Sequence, residues 1–192
     1  MLTRDKVINK NSIGNFNGFN FQELPNIPKI NLRGSAADRN FLNNTQRALN
    51  IQVPLEPNTS NNNDKLKIIW LSPDEWIIEI NEMKDFDKIF SDLKKFLNSD
   101  NTAVTDVTEN RTILKLSGSN LYKLLSKFMI IDHEKVLKKE SSVAQTIFIK
   151  VPVLLIRNFK KNDTTCVFMY ANRSHAQYIL DLLIDGSKNI DF

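Results

Sequence analysis

The chain spells one short pattern twice. Ile30-Asn31-Leu32-Arg33-Gly34-Ser35 and Leu114-Lys115-Leu116-Ser117-Gly118-Ser119 each alternate apolar and polar residues, stop at a glycine and continue with a serine. The two glycines lie 118 − 34 = 84 residues apart. Around the first, Lys29–Arg33 reads as a strand and Ser35 as the cap of a helix to about residue 48, with Phe41, Leu42 and Leu49 on its buried face. Lys65–Leu71 and Glu75–Ile80 form a hairpin around Ser72-Pro73-Asp74, where proline favours the second turn position. Phe86, Ile89, Phe90, Leu93 and Leu97 then mark one face of a second helix, and Ala103–Val107 is a further strand.

The second glycine is followed in the same order. Arg111–Leu116 is a strand, and Ser119 caps a helix carrying Leu121, Leu124, Leu125 and Phe128. Val143–Arg157 is a β-rich run broken near Pro152, and Thr165–Tyr170 is another strand. Ser174 and Gln177 form a capping box for a last helix that buries Tyr178, Ile179, Leu182 and Leu183. The class is therefore α+β: two repeated ferredoxin-like β-α-β-β-α units, over residues 27–107 and 108–192. The most economical arrangement has them sharing one sheet or core, with helices covering antiparallel strands. Residues 1–26 read as a polar, partly disordered N-terminal segment whose Phe16, Phe19 and Phe21 pack on the body or on a partner; Glu56 to Asp64 reads as an exposed loop.

Composition narrows the function by exclusion. With 41% hydrophobic residues among 192, the chain can build a core without staples. Its single cysteine, Cys166, forbids an internal disulfide and a cysteine zinc cluster. No run approaches about 18 apolar residues, so no membrane span is expected. The N-terminus lacks an apolar secretory core, so a cytoplasmic location is expected. A net charge of +4 and a pI near 9.1 raise nucleic-acid binding, but the lysines are scattered and not interleaved with aromatics, so none is expected.

No complete catalytic set is present. Gly34-Ser35 and Gly118-Ser119 lack the further glycines or lysine of a phosphate loop and read as tight turns or close packing points. Asp106, Glu109, Asn110 and Arg111 are the densest polar cluster; they could supply an acid/base pair, but between two strands they read as a connection with an Arg–carboxylate contact. Asp132-His133-Glu134 is a poor chelate because adjacent strand residues face opposite ways. Cys166 alternates with large apolar residues and reads as a small buried hydrophobe. Trp70 and Trp76 flank the hairpin turn as core residues, with an interface role open to either. No catalytic, cofactor-binding or metal residue is therefore assigned. The candidate interface or polar cluster is Trp70, Trp76, Asp106, Glu109, Asn110 and Arg111. A site-poor globular chain is expected to be a subunit or binding module.

Four segments carry a resemblance: Pro28–Gly34, Trp70-Leu71-Ser72-Pro73-Asp74-Glu75-Trp76, Val104–Thr112 with its Asp106-Val107-Thr108-Glu109-Asn110-Arg111, and Ala144-Gln145-Thr146. In this order they resemble the gamma subunit of heterotetrameric sarcosine oxidase, over roughly residues 25–185. That family is similar to the folate-binding aminomethyltransferase domain of the glycine cleavage system. The resemblance implies an aminomethyltransferase-like, folate-binding-type fold. It implies a small non-catalytic subunit partnered by alpha, beta and delta chains, in an enzyme that oxidatively demethylates sarcosine and passes the methylene group to tetrahydrofolate. FAD, FMN, NAD and tetrahydrofolate would belong to the partner subunits, and zinc to delta. The aminomethyltransferases carry a functional aspartate on a strand matched here by Val151–Arg157, which has no carboxylate. The alternative is a free-standing folate- or pterin-binding aminomethyltransferase-like module.

Overall fold

The computed structural model describes residues 6–97, 100–160 and 163–190. These divide into two compact units: Ile27–Thr108, and the described parts of Met1–Asn26 together with Glu109–Phe192. Each unit has its own antiparallel sheet and its own apolar cluster, so the expected sharing of one sheet or core is not the arrangement formed.

The first unit contains β3 (Lys29–Arg33), α1 (Arg39–Leu49), β4 (Ser60–Asn62), β5 (Leu66–Ser72), β6 (Glu75–Ile80), α2 (Met83–Phe96) and β7 (Ala103–Asp106). Its sheet runs β4-β5-β6-β3-β7. Leaving aside β4, the order across the sheet is second, third, first, fourth, the ferredoxin-like arrangement. The strand edge β4 lies inside the segment expected to be only an exposed loop. Ile30, Leu32, Ile68, Ile78 and Trp76 from the strands meet Phe41, Leu49, Ile89 and Leu93 from the helices. Helix α1 begins later than Ser35 predicts. Its cap is Asp38, whose Oδ1 accepts from the Asn40 amide at 2.8 Å, while Ser35 Oγ accepts only from the Ala37 amide at 3.3 Å.

The second unit contains β8 (Arg111–Ser117), α3 (Leu121–Leu125), α4 (His133–Val136), β9 (Val143–Phe148), β10 (Val151–Arg157), β11 (Cys166–Asn172) and α5 (Arg173–Ser187). A ferredoxin-like unit needs a further strand beside its first. The N-terminal segment supplies it. Residues Gly14–Phe16 (β1) and Phe19–Glu23 (β2) form a hairpin, and β2 pairs antiparallel with β8, at the position β7 holds beside β3. The sheet reads β1-β2-β8-β11-β10-β9.

The expected disorder of the N-terminal segment is thus not found over residues 6–26; residues 1–5 lie outside the described chain. The physical reason is apolar burial. Phe19 and Phe21 are 1% and 0% exposed and join Leu114, Leu116, Val153, Met169, Ile179 and Leu183 in one cluster. The hairpin had a local signal: Asn17-Gly18 between two phenylalanines, both at positive φ (47° and 82°), the preference of a tight two-residue β-turn.

Three local expectations for this unit change. The β-run breaks at Ile149-Lys150, not at Pro152, which pairs with Ile147 within the hairpin. The capping box does not form, because the Gln177 amide instead reaches Ser12 Oγ at 2.8 Å and Asp181 Oδ1 at 2.6 Å. Ser119 does not cap α3, whose N-cap is Asn120. The buried stripe of α5 is Ala176, Ile179, Leu180 and Leu183, which turns Tyr178 outward.

Candidate functional site

The repeated glycines resolve as packing points. A Cβ on Gly34 would lie 2.3 Å from the Phe41 ring, and one on Gly118 2.6 Å from the Phe19 ring and 3.0 Å from the Gly18 carbonyl. Each glycine lets an aromatic ring sit directly on the strand-to-helix corner. The open cavity beside Gly34, about 540 Å³, does not present a free cation to a phosphate. Arg33 is committed to Glu75 at 2.7 Å and Asp74 at 3.3 Å.

The two tryptophans are cross-strand neighbours on β5 and β6. Trp76 is fully buried; its ring meets Phe41 at 5.6 Å and its Nε1 donates to the Pro54 carbonyl at 2.8 Å. Trp70 is half-buried at the margin of the same cluster. Only Trp70 therefore presents surface.

The polar cluster separates into two structures. Asp106 ends β7, and its Oδ1 accepts from the Thr108 amide at 2.9 Å, a local turn that ends the strand. Thr108 Oγ1 in turn accepts from the Lys29 amide at 3.0 Å. Glu109 belongs to the other unit. Its carboxylate accepts from Asn26 Nδ2 at 2.5 Å and from the Arg173 guanidinium at 2.7 Å. The Asn110 carbonyl accepts from the Arg173 amide at 3.4 Å, and Arg111 opens β8 opposite Asn172. An Arg–carboxylate contact is present here, between Glu109 and Arg173 from far along the chain. The pair ties the N-terminal segment and the start of α5 to the start of β8. It lies at the surface and is worth at most about 1 kcal/mol.

Asp132-His133-Glu134 does not form a chelate. Asp132 caps α4 by accepting from the Lys135 amide at 3.1 Å. His133 is 3% exposed, stacks on Tyr122 at 5.5 Å, and its Nδ1 lies 3.3 Å from Ser126 Oγ. Burial pushes its pKa down, with the Asp132 charge acting weakly the other way. Burial likewise pushes the Cys166 thiol up, which suits a packed cysteine and not a nucleophile. Among the described residues, no group of three His, Cys, Asp or Glu side chains could hold a metal ion.

Sequence reasoning missed one polar residue that organises the fold. Glu23 is buried at the end of β2 and accepts three hydrogen bonds: from the Val7 and Ile8 amides at 3.0 and 3.1 Å, and from Thr112 Oγ1 at 2.9 Å. It locks the N-terminal segment onto β8. No short motif announces it, because its partners lie both before it and 89 residues after it.

Two antiparallel ferredoxin-like sheets, each flanked by its own helices, define an α+β fold of the aminomethyltransferase type. The structure is similar to the heterotetrameric sarcosine oxidase from Corynebacterium sp. U-96 in complex with pyrrole 2-carboxylate: TM-score 0.78, 19% identity, covering 92% of this chain and 87% of that one. It is also similar to glycine cleavage system aminomethyltransferase T from Bartonella henselae, with TM-score 0.61 and 14% identity, covering 87% of this chain but only 45% of that one. No curated protein sequence matches. Residues 33–189 match the model of the sarcosine oxidase gamma subunit family, and the chain belongs to that family. It is accordingly a subunit of a multi-subunit complex. No helix among the described residues is long and apolar enough to cross a membrane.

Proposed function

We propose that the chain is the small, non-catalytic gamma subunit of a cytoplasmic heterotetramer with alpha, beta and delta chains. The complex oxidatively demethylates sarcosine to glycine and transfers the methylene group to tetrahydrofolate. FAD, FMN, NAD and tetrahydrofolate act in the partner subunits. The observation that carries this reading is the family match over residues 33–189; in keeping with it, Asp106 closes a turn, Glu109 pairs with Arg173 and Asp132 caps a helix. Of the six candidate interface residues, Asp106, Glu109 and Asn110 are exposed and Trp70 and Arg111 partly so, which leaves all five reachable by a partner, whereas Trp76 serves the core.

The test is co-expression with the reading frames beside its gene, followed by affinity purification through this chain. The expected result is a stable complex with large flavin-bearing chains that oxidises sarcosine. A monomer stabilised by millimolar folate would instead establish the free-standing folate module, since a ligand that binds the folded state raises its melting temperature.

A further inference from the structure

Between Met129 and Leu137 the chain buries a single side chain. Residues 130–136 include α4, and of them His133 alone is buried; Ile131 packs partly against the core, and the other five are exposed. The two flanks are fixed. Met129 and Leu137 belong to the apolar cluster of the second unit. The Met129 amide donates to the Leu125 carbonyl at 3.0 Å, and Arg157 Nη1 donates to the Leu137 and Lys138 carbonyls at 3.0 Å each. Residues 130–136 thus form a flap between anchored ends, with a histidine as its pin.

The neighbours of the pin fix its protonation. Ser126 Oγ has one proton and donates it to the Tyr122 carbonyl at 2.8 Å. Toward His133 Nδ1, 3.3 Å away, that oxygen can only accept, so Nδ1 carries the ring proton. Nε2 is then the bare nitrogen. It is buried and has no hydrogen-bond partner among the described residues, and the same holds for Tyr122 Oη on the ring stacked against it. A further proton goes to Nε2, where no acceptor receives it, and a buried cation without a partner is strongly disfavoured. Few charges face the stack. Asp132 favours the imidazolium, but burial outweighs it. Glu134 and Arg157 act on Tyr122 in opposite senses. From α3 the facing groups are Tyr122 and Ser126, and Phe159 beside Tyr122 is uncharged.

We infer that His133 is a proton-operated latch: as the neutral Nδ1–H tautomer it pins residues 130–136 against Tyr122 and Ser126, and on protonation it releases them while both sheets stay folded. Release moves the imidazole into water, where its ordinary pKa of about 6.5 applies. The open form then binds a proton that the closed form resists, so acid favours opening. Below about pH 6.5 the opening constant rises by at most about tenfold per pH unit, and it levels off once the closed form is itself protonated. No partner subunit enters this device, so it stands apart from the subunit reading.

The experiment follows hydrogen exchange of single amides by NMR in the full chain between about pH 7.5 and about pH 5.5, corrected for the intrinsic rate. Three amides report on the flap: Lys135, bonded to Asp132 Oδ1; Val136, bonded to the Asp132 carbonyl; and Leu137, bonded to the His133 carbonyl. In the wild type their opening constant should rise about tenfold over this range. It should exceed that of the β11 amides by about a hundredfold throughout. His133→Phe keeps a ring against Tyr122 without a titrating nitrogen, and its opening constant should not change with pH. The wild-type ring nitrogen shifts should report the Nδ1–H tautomer at about pH 7.5. A wild-type opening constant independent of pH, the same pH dependence in His133→Phe, or an Nε2–H ring overturns the latch. Flap amides that exchange no faster than those of β11 mean release only by global unfolding, which overturns it as well. If the phenylalanine variant does not fold, the tautomer and the wild-type exchange profile decide alone.

Discussion

At the scale of single residues, burial decides chemistry. His133 has the composition of a candidate ligand but the surroundings of a core residue: Tyr122 on its face, Ser126 on Nδ1 and 3% exposure. Its pKa is depressed when folded, so the unfolded chain binds a proton more readily. Stability is full above about pH 6.5 and declines as the pH falls below it. The urea midpoint should drop between about pH 7.5 and about pH 5.5, and His133→Gln should flatten that dependence. An unchanged slope in the variant would remove His133 as its source. Gly34 and Gly118 make the same point about context. Their spacing was visible in the sequence, but their reason is the position of Phe41 and Phe19, which no local pattern discloses.

At the scale of elements, strands bounded by turn residues were legible because their period-two alternation and flanking glycines or prolines act within a few residues. Lys29–Arg33 and Glu75–Ile80 match their expected limits. Caps were less legible, since Ser35, Ser119 and Ser174 each had a competitor within three residues. The hairpin β1–β2 was the main omission. Its Asn17-Gly18 turn was readable, but its partner strand lies about ninety residues away in sequence. Phe21→Ala should cost roughly 3–5 kcal/mol, because it empties a fully buried site between β2 and β8. Chemical denaturation of the full chain measures this. A cost below about 1 kcal/mol would mean that the N-terminal strand is dispensable to its sheet.

At the scale of the whole molecule, the described chain carries two apolar cores, one in each unit. Membership in the gamma subunit family makes assembly part of its native state. Its melting temperature should therefore be higher in the complex than alone and should depend on partner concentration. At a hundred times the dissociation constant the gain is about 2.7 kcal/mol. Thermal scans of the isolated and assembled chain check this, and identical midpoints would argue against a stable complex.

By itself the sequence determined the α+β class, the twofold repeat around Gly34 and Gly118 and the family, because these rest on short-range periodicity and on motifs read in order. Tertiary structure alone decided that each repeat closes its own sheet. It also decided that β2 occupies beside β8 the place β7 takes beside β3, and that the polar cluster at residues 106–111 divides between the two units. The physical reason is that a ferredoxin-like sheet must cover its first strand on both sides. In the second unit that strand is β2, held beside β8 by the burial of Phe19 and Phe21.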